Sequence, residues 1–278
     1  MAGVNAPREA VAWASFDGAA ISVGRARAED PGQYILQVVA TLALDTSTPD
    51  GSVAVRRDGV LLYARAGDGL RPHGMRLPGD ALAALEACGL TLGDVTLLAV
   101  GLGPGPFTGL RVGLATIEGL AFATGLPVVG VSGLDALAVA AARADVSARE
   151  IAVLLDGARG EVFAARYAVG PGSPPETRAI DEPRAAPPGD VFDAWRAEGA
   201  RPDVVIGSGA ILYGEDLVVA MPSARVIDAP LVAPLVAELG ELRAAADGAT
   251  PLNALRPVYV RRPDAELARR RAAAPHVG

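Results

Sequence analysis

The stretch Gly103–Gly113, GPGPFTGLRVG, leaves the backbone fewer choices than any other part of the chain. Gly103 and Gly105 accept positive φ at little steric cost, while Pro104 and Pro106 hold φ near about −65° and remove two N–H donors. Such a loop, running into a segment rich in small residues, reads as a tight corner before a helix, with Thr108 at the N-cap position. First-turn N–H groups there have no intrahelical partner, which leaves two readings open: a buried strand-to-helix corner, or a terminus that receives an anion or carboxylate. The loop is neither a GxGxxG nor a Walker A sequence.

The surrounding pattern is that of an α/β protein. VTLLAVGLG, before the corner, reads as a buried strand, and Thr108 to Gly125 as a helix stopped by Gly125 with Pro127 beyond. Upstream, VVATLALDTS reads as a buried strand ending in a polar cluster, and SVAVRRDG and VLLYARAG as two further strands after the TPDGS turn. Pro78 to Cys88 has helical spacing and closes at Gly89; PVVGVS is a strand and LDALAVAAARA a helix. From Ile151 the pattern restarts with two strands across a turn in IAVLLDGARGEVFAARYAVG, then a helix in PPGDVFDAWRAEG and a strand in DVVIGSGA. LVAPLVAELGELRAAAD is a last helix, stopped by Gly248 and Pro251. The Pro-rich GPGSPPETRAIDEPRAAPPGD reads as a loop excursion.

Composition narrows the chemistry. With 51% hydrophobic but only 4% aromatic residues, the core is built from Ala, Val and Leu, which favours close packing of elements. The net charge of −7 argues against an extended basic surface for nucleic acid. All 25 basic residues are Arg, which removes Schiff-base lysine, P-loop lysine and lysine base chemistry together. Cys88, the only cysteine, excludes an intramolecular disulfide and reads as a packed thiol on an apolar helix face. The two histidines, His73 and His276, form no HxxxH or HExxH pair, so a His-rich metal site is not supported. No apolar run approaches the ~20 residues that span a bilayer, and MAGVNAPREAVAW is not a secretory signal, so a cytoplasmic protein with no membrane partner is expected.

GPGPFTGLRVGLATIEGLAF resembles the hallmark segment of the bacterial TsaB (YeaZ-like) family, usually GPGSFTGLRIG followed by a helix. LALDTSTPDGSVAV from Leu42, PVVGVSGLDALA from Pro127 and LLDGARGEVFAARY from Leu154 agree in order and spacing, and RPVYVRR from Arg256 is a weaker match. The resemblance covers Val39 to Arg262. It implies an actin-like ATPase (RNase H-like) fold of two lobes, each a mixed sheet flanked by helices, at 39–145 and 146–262. Residues 1–38 fall outside it as an N-terminal extension, read as an appendage, an extra hairpin or, by preference, translated sequence upstream of the true start; 263–278 is a tail.

The resemblance further implies the dimerisation subunit of the tRNA threonylcarbamoyladenosine machinery, non-catalytic and without a cofactor or metal of its own. Its partners would be the catalytic subunit TsaD and the ATPase TsaE, with tRNA reached only through the complex and a homodimer formed when TsaD is absent. The partner face would involve His73, Leu82 and Leu85 near the first helix and Thr108, Arg111, Val112, Ala115 and Gly119 on the second. Gly109, Gly113 and Gly119 lower that helix's intrinsic stability, which close packing inside the lobe or across an interface would offset. In actin-like kinases, carboxylates placed like Asp45 and Asp156 help hold a metal nucleotide, so Asp45, Thr46, Ser47, Gly103, Gly105 and Asp156 form a candidate vestigial pocket. The alternative for Asp45 is an Asx-type turn with Thr46 and Ser47. Against the family pattern DARMGEVY, Ala158 takes the usual arginine position and Arg159 follows, and Glu118 stands where a lysine is common. The competing class is an enzyme, either an independent actin-like ATPase or a glycoprotease-type hydrolase, for which His73 would have to serve Ser47, Ser132 or Ser208. A regulatory protein with no tRNA role is a third class.

Overall fold

The apolar run after Val39 is covered on both faces: all six residues of Ala40–Asp45 (β1) are buried in the computed structural model, which describes residues 39–172 and 175–261. The extension and tail expected at 1–38 and 263–278 lie outside the described residues. β1 pairs antiparallel with Ser52–Arg57 (β2), which pairs antiparallel with Val60–Ala66 (β3). On its other edge β1 runs parallel to Leu97–Gly101 (β4), and β4 parallel to Val128–Val131 (β5), giving the order β3-β2-β1-β4-β5. Side chains alternate across this sheet. Leu42, Leu44, Leu98 and Val100 face two helices, His73–Ala87 (α1) and Phe107–Thr124 (α2), whereas Ala43, Leu97 and Ala99 face the middle of the molecule. Three antiparallel strands followed by helix-linked parallel ones are the RNase H-like arrangement that the family resemblance implies.

The second sheet follows Gly133–Ala144 (α3). Its strands are Glu150–Asp156 (β6), Val162–Val169 (β7), Thr177–Ala179 (β8), Arg184–Ala186 (β9), Val204–Ile206 (β10) and Arg225–Ile227 (β11). The order is β11-β10-β6-β7-β8, with β9 also on β7. Pro188–Ala197 (α4), Ser208–Leu212 (α5) and Gly214–Ala220 (α6) cover its outer face around Phe192 and Trp195. The last helix among the described residues, Val232–Asp247 (α7), returns to pack on β1, β2, β4 and β5, while α3 packs on β6 and β10, and the two helices touch in the middle. A methyl at Gly240 would stand 2.9 Å from Ala99 Cβ, so α7 approaches the first sheet at a distance that only small residues allow. Among the described residues no helix is long and apolar enough to cross a membrane.

Three expectations are corrected. The helical spacing read from Pro78 marks only part of α1, which begins at His73, the histidine expected near a helix start, and carries Pro78 in its interior, because contacts outside the helix secure the turn before the proline. Thr108 is not a cap: it lies inside α2, whose N-cap is Pro106 with no side-chain bond. The Pro-rich excursion contains β8 and β9, edge strands that borrow their pairing from β7.

Candidate functional site

β1 delivers Asp45 to its end with 1% exposure. Asp45 Oδ2 accepts from Ser47 N at 3.2 Å and Ser47 Oγ at 2.7 Å, the Asx-type turn. Oδ1 is buried without a hydrogen-bond partner among the described residues, as is Thr46 Oγ1. Burial pushes the Asp45 carboxyl above its ordinary value, and the Ser47 bonds oppose that shift without overcoming it. The glycines around this turn explain its closure. A methyl at Gly105 would lie 2.5 Å from Ser47 O and 2.6 Å from Ser47 Cα, and one at Gly109 2.7 Å from Thr46 O. One at Gly113 would overlap Thr46, and Gly101 backs onto the Asp45 carboxylate. Gly103 takes φ +88 and packs against Leu110 and Gly105.

These residues do not fit a metal-bound nucleotide. The carboxylate is inaccessible and its pKa is raised by burial, backbone lies against the turn, and among the described residues no basic side chain hydrogen-bonds to Asp45, Thr46 or Ser47. Asp156 is exposed and serves its own loop, accepting from Ala158 N at 2.8 Å, in a turn where Ala158 and Arg159 both take positive φ. Among the described residues no group of three or more His, Cys, Asp and Glu side chains is placed to hold a metal.

The hydrolase constellation does not assemble either. Ser47 Oγ donates to Asp45, Ser132 Oγ accepts from Asp135 N at the start of α3, and Ser208 Oγ accepts from Asp156 N. His73 meets none of them. Its Nε2 lies 3.1 Å from Thr48 O and its Nδ1 2.9 Å from Arg76 Nη2. A guanidinium can only donate, so Nδ1 accepts and Nε2–H donates, which is neutral imidazole. Burial, then the Arg76 charge, pushes the His73 pKa down in agreement.

Arg76, which sequence reasoning passed over, secures the first turn of α1. Its side chain is 1% exposed, its Nη1 bonds Asp80 at 2.6 Å, and it donates to the carbonyls of Asp50 and Arg71 as well as to His73. The spacing His73, Arg76, Asp80 (i, i+3, i+7) was the available signal, since it stacks the three on one helix face.

The outer surface of the α1–α2 pair gathers most of the expected partner residues. Thr108, Arg111, Ala115 and Gly119 form an exposed stripe on α2, and Phe122 continues it at 89% exposure. Val112 is half-buried where the helices meet, its Cγ1 3.9 Å from where a methyl on Gly74 would be. Leu82 is 55% exposed on α1, and Met75, which the sequence did not single out, is 78% exposed. Leu85 departs from expectation: at 1% exposure it belongs to the core under the sheet. The small residues also divide. Gly113 is taken up by Thr46, whereas a methyl at Gly119 would meet nothing within 4 Å.

A family profile described as TsaD, tRNA N6-adenosine threonylcarbamoyltransferase, matches residues 69–179, which contain both helices. An uncharacterized protein of Mycobacterium tuberculosis is 34% identical over 233 residues, 83% of this chain and 96% of its own length. The tRNA threonylcarbamoyladenosine biosynthesis protein TsaB of Escherichia coli is 39% identical over 126 residues, 45% of this chain and 54% of that protein. The crystal structure of YeaZ from Pseudomonas aeruginosa superposes with a TM-score of 0.63 at 31% identity, covering 80% of this chain and 99% of that one. The architecture is therefore that of an actin-like α/β protein whose central turn is closed by its own backbone. Within that class, the chain belongs to the TsaB/YeaZ family.

Proposed function

We propose that this chain is a subunit of the machinery that makes threonylcarbamoyladenosine in tRNA, and that it acts as a folded platform while a TsaD-like partner performs the transfer. The observation that carries this reading is the contrast between two surfaces. The central turn is closed around Asp45, while α1 leaves Met75 and Leu82 in water and α2 leaves Phe122 in water and Gly119 uncovered. Exposed apolar side chains on two packed helices, with an uncovered glycine on one of them, suit close approach of a second helical surface. TsaB/YeaZ membership and the TsaD-type profile over these helices support a TsaD-like partner. In this reading the chain works in the cytoplasm, a TsaE-like ATPase joins the assembly, tRNA is met only through the complex, and the same face closes a homodimer when the partner is missing. The lobes divide near residue 145 and the chain carries no catalytic residue.

Light scattering after size exclusion tests it, with this chain alone and mixed with the TsaD-family protein of the same genome. A one-to-one complex lost in Gly119→Arg and Leu82→Glu is the expected result. ATP or peptide hydrolysis by the isolated chain, abolished by Asp45→Ala, would overturn the platform reading.

A further inference from the structure

Arg111 is the only basic residue of α2, and among the described residues it is held in one position without a countercharge. Its guanidinium carbon sits 4.0 Å from the centroid of the Phe107 ring, and its Nε donates to Tyr259 Oη at 3.2 Å. Phe107 and Tyr259 themselves stack, with centroids 5.2 Å apart and planes at 29°. Nε and one face of the guanidinium are thus occupied, and the Nη1/Nη2 edge is left over; among the described residues no carboxylate pairs with it. Arg56, Arg143, Arg166 and Arg243, by contrast, all pair with carboxylates.

The clamp is rigid because Tyr259 lies on a tethered segment. Leu255 is 2% exposed in the core beneath α1 and α2, and Val258 N donates to Leu102 O at 2.8 Å. Arg261 pairs with Glu161 and lies 5.5 Å over the Phe163 ring of the second sheet. The segment from Leu255 to Arg261 therefore straps the start of α2 to both sheets. Phe107 and Tyr259 remain 38% and 42% exposed, continuous with the Thr108–Phe122 stripe.

We propose that Phe107, Arg111 and Tyr259 form a preorganised receptor for an Asp or Glu carboxylate of the docked subunit, with the 255–261 strap holding Arg111 in register. This rests on the reading of the α1–α2 face as a subunit-docking surface. Covering that face with purely apolar groups would strip water from Arg111 and leave its charge unmet, a cost that a matching carboxylate removes. The free edge offers two parallel N–H donors, the geometry for bidentate binding, and the surrounding rings lower the local dielectric. Arg and Tyr are also the residue types on which binding energy concentrates at interfaces.

Isothermal titration of the full-length chain with the TsaD-family subunit, at low and high ionic strength, tests the assignment. Arg111→Ala should weaken the complex roughly 10- to 100-fold and remove much of its salt dependence. Arg111→Lys should fail to restore it, because an ammonium lacks the planar fork, and Tyr259→Phe should give a smaller loss in the same direction. Unchanged thermal unfolding of the Arg111 variants separates recognition from folding. If Gly119→Arg abolishes the complex while Arg111→Ala binds as tightly as the unsubstituted chain, the face stands and the receptor falls. If the unsubstituted chain forms no complex, the reading of the face falls and the receptor with it.

Discussion

Gly113 and Gly119 lie six residues apart in α2, and the structure gives them opposite roles. Replacing either with alanine removes the same backbone freedom, worth roughly 0.8 to 1 kcal/mol at an exposed helical position. That contribution largely cancels between the two variants, which leaves the steric difference. A Cβ at Gly119 meets nothing within 4 Å. A Cβ at Gly113 would stand 3.2 Å from Thr46 Cγ2 and 3.3 Å from Thr46 Cβ, and closer still to Oγ1. Thr46 is 1% exposed and β-branched, so it has little room to turn away. Overpacking by one methyl in such a setting costs about 1 to 3 kcal/mol. Gly119→Ala should therefore exceed the unsubstituted chain in stability by about 0.8 to 1 kcal/mol, with Gly113→Ala about 1 to 3 kcal/mol below Gly119→Ala. In thermal unfolding that gap is about 2 to 4 °C per kcal/mol. Urea unfolding of the dilute, isolated chain, followed by circular dichroism with slopes compared, measures both. Equal stabilities, or Gly113→Ala as the more stable variant, would refute the argument that one glycine is needed for internal packing and the other is not.

Arg76→Met should cost about 3 kcal/mol in the same assay, the low end for breaking a buried ion pair, because Asp80 is 30% exposed and keeps part of its hydration. A loss below about 1 kcal/mol would show that the α1 anchor is dispensable. The native state holds His73 below its ordinary value, so it binds fewer protons there than the unfolded chain does. Stability is full above pH 6.5 and falls as pH drops through the window down to the depressed pKa. Thermal unfolding between about pH 7 and 5 should show that slope, and His73→Gln should flatten it. Asp45 has the opposite sign, since its raised native pKa means that stability is gained as pH falls towards 3.8. Asp45→Asn should stabilise the chain at neutral pH, with a gain that shrinks on acidification; destabilisation at neutral pH would show that the buried carboxylate is needed charged.

What could be read in advance was whatever the chain determines locally. Buried runs such as Leu42–Leu44 and Leu97–Val100 announce strands covered on both faces, and Gly125 ends α2 in the left-handed conformation its lack of Cβ permits. What escaped depends on partners distant in sequence. The start of α1 precedes its proline because Arg76 and His73 bind carbonyls of the β1–β2 turn, contacts that helical periodicity does not reveal. β8 and β9 exist only as edges to β7, helped by Asp181, which accepts from Arg166 N and Nε. In the candidate site, Thr108, Arg111, Ala115 and Gly119 were named through the family resemblance, because small-residue spacing alone left packing inside the lobe equally open. That Leu85 and Gly113 turn inward while Met75 and Phe122 turn outward needed the sheet beneath them.

The crossing of α3 and α7 between the sheets bears on how the chain is made. All five strands of the first sheet have been synthesised by Val131, yet the face carrying Ala43, Ala54 and Ala99 stays uncovered until α7 emerges at Val232–Asp247. α3, meanwhile, waits for β6 and β10. A ribosome translating this message therefore carries an unfinished first lobe for roughly a hundred further residues, at about 5 to 20 residues per second. Neither half closes its core on its own, so the nascent chain depends on α7 to bury the strands of its first sheet, and truncation ahead of that helix leaves one face of that sheet exposed.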